Sequence, residues 1–260
     1  MSYKVYEIMP EVSLIRDNDT NIYVVEGESK ALVIDTGYGY YNLRKKIEEI
    51  TKKPLDVVLT HGHIDHAFGG HHFEGVYMNQ DELPEFEEHS QLRQMQNIKG
   101  LSTEEVEMWV KAKPKRIDFI APGDFFDIGD NKLEVLSLKG HTPGSVGILD
   151  RKHRILFSGD GLTNYIWLQL PNSSTIEKYL QTLEDLDKYK SDFDIICNGH
   201  AEEPLPASFL EEMKLTLKDL LNGAVGKPYN SPNNPIPNSM IYIRNGCTVA
   251  YSPGKIRNKN

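Results

Sequence analysis

Three histidines and a carboxylate fall within six positions of one another in Thr60-His61-Gly62-His63-Ile64-Asp65-His66. This density of metal-type donors limits what such a chain can fold into. No packing need concentrates these side chains, whereas imidazole nitrogens and carboxylate oxygens are good donors to Zn²⁺ and similar divalent ions. The apolar run Leu55-Asp56-Val57-Val58-Leu59 before them reads as a short buried strand. The cluster therefore sits on the loop leaving that strand, and Ala67-Phe68-Gly69-Gly70 opens a helix. A tight loop can aim His61 and His63 one way and Asp65 and His66 another, which suggests two neighbouring ions.

Further donors follow other strand-like runs. Leu133–Leu138 leads into Lys139-Gly140-His141, Ile155–Phe157 into Ser158-Gly159-Asp160, and Phe193–Cys197 into Asn198-Gly199-His200. Each ligand has a glycine directly before it, which lets the backbone turn sharply at a strand end.

The whole chain sets broader bounds. Its 260 residues, 39% apolar, can build one large core, and no shift in composition marks a second domain. A net charge of −9 leaves no basic face to release counterions from phosphate, so nucleic acid is not an expected partner. The densest basic run, Lys113-Pro114-Lys115-Arg116, reads as solvated surface. The N-terminal residues lack the apolar stretch of a signal peptide, and no run is long enough to span a membrane. Cys197 and Cys247 are too few for a disulfide framework and read as small buried hydrophobes. A cytoplasmic protein acting on a small molecule is expected; the oligomeric state is left open.

Along the chain the pattern predicts strands at Val12–Ile15, Asn21–Glu26 and Ala31–Asp35, then an amphipathic helix over Tyr41–Ile50. Residues 79–116 are polar and helical in character, with helices around Asp81–His89 and Thr103–Lys113, the second capped by Ser102 and Glu105. Lying between ligand-bearing loops, this stretch reads as an insertion acting as a lid, the alternative being an inert surface excursion. Hairpins follow at Phe125–Leu138 and Val146–Phe157. Helices at Ser174–Tyr189 and Ser208–Leu221 carry apparent capping boxes, Ser174 with Glu177 and Ser208 with Glu211. The chain closes on a hairpin turned by Asn245-Gly246. Pattern alone supports a single α/β or α+β domain.

The His-x-His-x-Asp-His cluster, the Gly-His-Thr-Pro-Gly-Ser segment at 140–145, Ser-Gly-Asp at 158–160 and Asn-Gly-His at 198–200 together resemble the metallo-β-lactamase-fold hydrolases. The Asp35-Thr36-Gly37 turn resembles that superfamily's first motif. The resemblance implies a four-layer αββα sandwich over residues 1–260, with the segment 79–116 as a variable insertion. It also implies that His61, His63 and His141 bind one ion, that Asp65, His66 and His200 bind the other, and that Asp160 bridges them. Asp65 and Asp160 would be the catalytic carboxylates, and two divalent ions the cofactors, zinc foremost with manganese or iron as alternatives.

Two dications bring four positive charges, two of which Asp65 and Asp160 offset; the remainder favours a bridging hydroxide and an anionic transition state. Asp35 is a candidate to orient an imidazole, or else a plain turn residue. Tyr38, Tyr165 and Trp167 are candidates to line a substrate pocket, although aromatics so placed serve packing as often as recognition. His71, His72, His89 and His153 lie outside every motif and read as surface or helix-end residues.

An intact Asp65-His66 pair departs from the cysteine at the second metal of many zinc β-lactamases. The set looks more like glyoxalase II-type thioesterases and lactonases. The expected reaction is therefore hydrolysis of a small ester, lactone or thioester. The alternatives are a phosphodiester or phosphonate hydrolase on the same site and a mononuclear iron sulfur dioxygenase.

Overall fold

The computed structural model describes residues 3–92, 102–231, 234 and 236–258. The chain forms two compact units, Met1–Leu136 and Ser137–Asn260.

The first unit is built on a seven-stranded sheet in sequential order: β1 (Lys4–Met9), β2 (Val12–Asp17), β3 (Thr20–Glu26), β4 (Ala31–Ile34), β5 (Leu55–Val58), β6 (Val76–Asn79) and β7 (Ile117–Ile120). From β1 to β4 the pairing is antiparallel, and from β4 to β7 it is parallel. Parallel neighbours need crossover connections, and these carry the helices. The β4–β5 crossover holds α1 (Leu43–Ile47), and α2 (Ile64–Ala67) follows β5. The β6–β7 crossover holds α3 (Leu83–Leu92) and α4 (Thr103–Lys111). The polar stretch 79–116 falls in this β6–β7 crossover, and its residues 93–101 lie outside the described residues. A hairpin of β8 (Phe125–Asp127) and β9 (Lys132–Ser137) follows.

Ile15, Ile22, Val33, Leu43, Ile47, Val57, Leu59, Phe68 and Met78 form one buried cluster. It fixes the ends of β4 and β5 side by side, so the turns leaving them are neighbours. In open parallel sheets, ligand sites lie at these carboxyl ends.

The second unit contains the ladder β14–β13–β11–β10 and a four-stranded sheet of order β12–β17–β16–β15. The strands are β10 (Val146–Asp150), β11 (Ile155–Gly159), β12 (Tyr165–Leu168), β13 (Ile195–Asn198), β14 (Leu205–Pro206), β15 (Lys227–Pro228), β16 (Met240–Arg244) and β17 (Cys247–Tyr251). Its helices are α5 (Ile176–Asp185) and α6 (Phe209–Leu221). Asn245 and Gly246 both take positive φ, as a tight hairpin turn requires. Cys197 and Cys247 are buried and are not joined in a disulfide. No helix among the described residues is long and apolar enough to cross a membrane.

Several local readings are corrected. The helix expected over Tyr41–Ile50 is confined to Leu43–Ile47, because Asn42 caps it by accepting from the Lys45 amide and the chain turns after Ile47. Ser102 and Glu105 do form a capping box on α4. The α5 cap is Thr175, not Ser174, and accepts from the Lys178 amide at 3.1 Å. Ser208 has helical dihedrals and makes no side-chain cap bond, so no box forms on α6.

Candidate metal centre

In the first unit the turns leaving β4 and β5 are tied together by Asp35. One carboxylate oxygen accepts the Thr60 amide at 2.7 Å, and the other accepts the Thr60 hydroxyl and His66 Nδ1–H, each at 2.8 Å. Asp35 holds this position with φ at +62° and is 2% exposed. Thr36 reinforces the junction, its amide and hydroxyl both donating to the His66 carbonyl. Asp35 thus touches the His66 imidazole directly.

The network decides tautomers. Having given its proton to Asp35, the Thr60 hydroxyl can only accept from His61 Nδ1, 3.1 Å away. His61 and His66 both therefore carry their proton on Nδ1 and keep the Nε2 lone pair for coordination. The three loop imidazoles lie close together, with ring centroids 4.7 Å apart for His61–His63 and 4.2 Å for His61–His66. Asp65 Oδ2 is 3.5 Å from His66 Nε2 and 3.5 Å from the Thr20 hydroxyl. Negative charge collects here: burial, with Asp19 and Asp65 adding to it, pushes the Asp17 carboxyl up to about 6 against the lowering effect of the Tyr38 amide. Such a neighbourhood favours cations.

Helix α3 reaches the same loop. The buried Glu82 carboxylate accepts the Gly62 amide at 2.7 Å. Glu85 Oε2 lies 3.6 Å from His63 Nε2. The His89 ring stacks on His63 at 4.3 Å and 19°, and its Nδ1 accepts the Ile64 amide at 3.1 Å. Burial holds His63 below the ordinary imidazole range, with Glu85 opposing that shift. His89 sits in the last turn of α3, as its helix-end reading has it. Its contacts with the histidine loop were not foreseen, because a helical histidine shows no partner in sequence.

His71 caps its own turn, Nδ1 facing the Phe68 carbonyl at 2.7 Å. His72 is half-buried and pushed down to about 4, chiefly by burial. His153 pairs with the fully buried Asp150 at 2.6 Å.

A side chain at Gly62 would bring its Cβ within 2.7 Å of the Phe86 nitrogen and 2.9 Å of the Glu82 carbonyl oxygen, both helix backbone. Gly62→Ala is expected to displace the start of α3 and cost about 1–3 kcal/mol of stability, read by urea denaturation. Unchanged stability would show that α3 yields without penalty.

The second unit gathers the other three residues. His141 Nδ1 donates to the Trp167 carbonyl at 3.0 Å, which again leaves Nε2 as the lone-pair nitrogen. Asp160 Oδ2 is 3.6 Å from His141 Nε2 and 3.2 Å from His200 Nε2. Asn198 Oδ1 accepts the amides of His200 and Ala201, shaping the turn that presents His200. The preceding glycines have different causes. Gly159 takes φ of +48°, whereas Gly140 is required by the close approach of the Tyr179 ring. Tyr179, fully buried on α5, also donates to the Gly161 carbonyl at 2.9 Å, so one side chain packs against the turns of His141 and Asp160.

Of the pocket candidates, Tyr38 stacks on Tyr40 at 5.1 Å, and its carbonyl accepts Trp109 Nε1 of α4 at 2.7 Å. Burial, then Asp65 and Asp19, push the Tyr38 phenol up, keeping it protonated. Tyr165 is 39% exposed and faces Tyr229 at 6.2 Å. Trp167 contributes its carbonyl to His141. The residues that sequence reasoning missed are Thr60, Glu82, Glu85, His89, Trp109 and Tyr179; the helical spacing of Glu82, Glu85 and His89 was the one signal available.

The donor chemistry suits divalent metal. His61, His66 and His141 each have the far nitrogen held by a protein acceptor, the arrangement that metal-binding histidines adopt. Comparison with known proteins agrees. The family profile described as "Metallo-beta-lactamase superfamily" matches residues 15–200. The acyl-coenzyme A thioesterase MBLAC2 of Homo sapiens is 29% identical over 215 residues, 74% of this chain and 74% of that protein. The hydroxyacylglutathione hydrolase GloC of Haemophilus influenzae is 30% identical over 160 residues, 60% of this chain and 71% of that protein. The solved DIM-1 metallo-beta-lactamase superposes with a TM-score of 0.63 at 18% identity, covering 85% of this chain and 98% of that one, a likeness of fold.

The chain belongs to the metallo-beta-lactamase superfamily and is a hydrolase of it. The expected α/β metallo-β-lactamase fold class holds.

Proposed function

We propose that this chain is a binuclear metal-dependent hydrolase of small acyl esters, with thioesters as its preferred substrates. The carrying observation is the Asp35–Thr60 network, which sets two neighbouring imidazoles in the metal-binding tautomer. The choice of bond is supported by two relatives, named for hydrolysis of acyl-coenzyme A and of hydroxyacylglutathione, both thioesters.

The proposed ligands are His61, His63 and His141 for one ion and Asp65, His66 and His200 for the other, with Asp160 shared and zinc as the ion. When bound, such a pair supplies a nucleophile from water near neutral pH and a Lewis acid for the acyl oxygen. The chain's own residues do the rest. Asp35 orients His66 and, through Thr60, His61. The carboxylates of Asp65 and Asp160 offset cationic charge, and Asp65 takes the proton shed as water attacks and returns it to the leaving sulfur. Tyr38, Tyr165 and Trp167 line the substrate side. Helices α3 and α4, the described helices of the 79–116 stretch, act as a cover on this part of the molecule.

Protein purified without added metal should carry close to two zinc ions per chain. It should turn over acyl-coenzyme A or glutathione thioesters faster than lactone or phosphodiester substrates. Faster phosphodiester cleavage would move it to the phosphodiesterase branch. A single iron with oxygen uptake would overturn the hydrolytic reading of the site.

A further inference from the structure

Three successive residues of the histidine loop are engaged by one face of α3 and the turn before it. Glu82 takes the Gly62 amide, Glu85 faces His63, and His89 both stacks on His63 and accepts the Ile64 amide. Positions 82, 85 and 89 lie on one side of a helix. Glu82 and Glu85 are 0% and 6% exposed, and burying two carboxylates costs several kcal/mol unless each meets a donor. Packing alone would be better served by apolar side chains there.

We infer that Glu85, backed by His89, is a positioning residue for the metal centre, fixing the orientation and tautomer of His63 so that Nδ1 is its metal-binding nitrogen. This rests on the binuclear reading above. Asp35 serves His66 and, through Thr60, His61; His63 instead turns its Nε2 toward Glu85. A carboxylate facing that nitrogen keeps the proton there and leaves the lone pair on Nδ1.

His63, Glu85 and His89 also lie close enough to hold a cation themselves. The His89 tautomer argues against a third ion. Its Nδ1 lone pair is taken by the Ile64 amide, so the neutral ring carries its proton on Nε2 and offers no second lone pair. Its contribution is the stacked ring and the hold on the loop backbone.

The test is a competition titration of metal-stripped full-length protein with zinc against a chromogenic chelator, for wild type, Glu85→Gln, Glu85→Asp and His89→Phe. Cobalt absorption spectra and melting temperatures of the metal-free proteins are recorded alongside. Wild type should take two ions. Glu85→Gln should lower the affinity for one of them about 10–100-fold, leave the other near wild type and shift the cobalt bands, with the metal-free melting temperature unchanged. Glu85→Asp should recover part of that affinity. His89→Phe, which keeps a ring but loses the acceptor, should weaken the same ion less.

Wild-type affinity for both ions and an unchanged cobalt spectrum in Glu85→Gln overturn the inference alone. Loss of the metal-free fold in Glu85→Gln gives Glu85 a structural role and overturns it too. A wild-type protein that takes up no metal overturns the binuclear reading, and this inference with it.

Discussion

Asp160→Ala is expected to leave a folded protein with almost no hydrolytic turnover. In the second unit a single oxygen of Asp160 faces both His141 Nε2 and His200 Nε2, at 3.6 and 3.2 Å. That placement suits a carboxylate shared by two cationic centres. Removing it takes away one full negative charge and a ligand at once, and either loss is worth several kcal/mol of transition-state stabilisation. A drop of at least about 10³-fold in kcat/KM corresponds to about 4 kcal/mol.

The fold should survive. Asp160 lies at the end of β11, whose residues Ile155, Leu156 and Phe157 are fully buried, and alanine removes nothing from that packing. His63→Ala should behave alike in activity, because it deletes a proposed ligand outright. The measurements are steady-state rates on a thioester, metal content, and melting by circular dichroism. Activity within tenfold of wild type in either variant, at full stability, would remove that residue from the site.

How much of this could be read from the chain depended on whether the signal was local. The strands that end in ligands are short apolar runs broken by glycine, and β5, β9, β11 and β13 fall where such runs stand. Missed were β1, with its mostly exposed Lys4–Met9, and β6, β7 and β12, each four residues long. Their pairing is set by neighbours distant in sequence, which no local pattern encodes. The same divide runs through the site. His61, His63, Asp65 and His66 announce themselves by density. Glu85 and His89 do not, because a glutamate and a histidine on a polar helix look like any solvated face until α3 is seen against Gly62. Tyr179 is likewise an ordinary aromatic on an amphipathic helix, and only the fold puts its ring against Gly140.

Asp35→Asn should be nearly as damaging as loss of a ligand, although Asp35 is proposed to bind no metal. The carboxylate meets only donors: the Thr60 amide, the Thr60 hydroxyl and His66 Nδ1–H. Asparagine fits the space and tolerates a φ of +62°, so the backbone should hold. Its NH₂ group, however, must replace one oxygen. Placed at the first, it opposes the Thr60 amide, which cannot give up its hydrogen, and a buried donor facing a donor costs about 1–3 kcal/mol. Placed at the second, it is accommodated only if the Thr60 hydroxyl reverses and His66 moves its proton to Nε2. The reversed hydroxyl then donates to His61 Nδ1, 3.1 Å away, and drives that proton to Nε2 as well. Both imidazoles would then present N–H where the proposed ions need a lone pair.

Affinity for both ions is therefore expected to fall about 10–100-fold, with turnover falling in step at limiting metal. Thr60→Val breaks the link to His61 but leaves the His66–Asp35 bond, so its loss should fall on one ion only. Chelator competition measures the affinities. Nitrogen-15 shifts of the imidazoles in the metal-free protein report the tautomers directly. Wild-type affinities with His66 still protonated on Nδ1 in Asp35→Asn would reduce Asp35 to a turn residue.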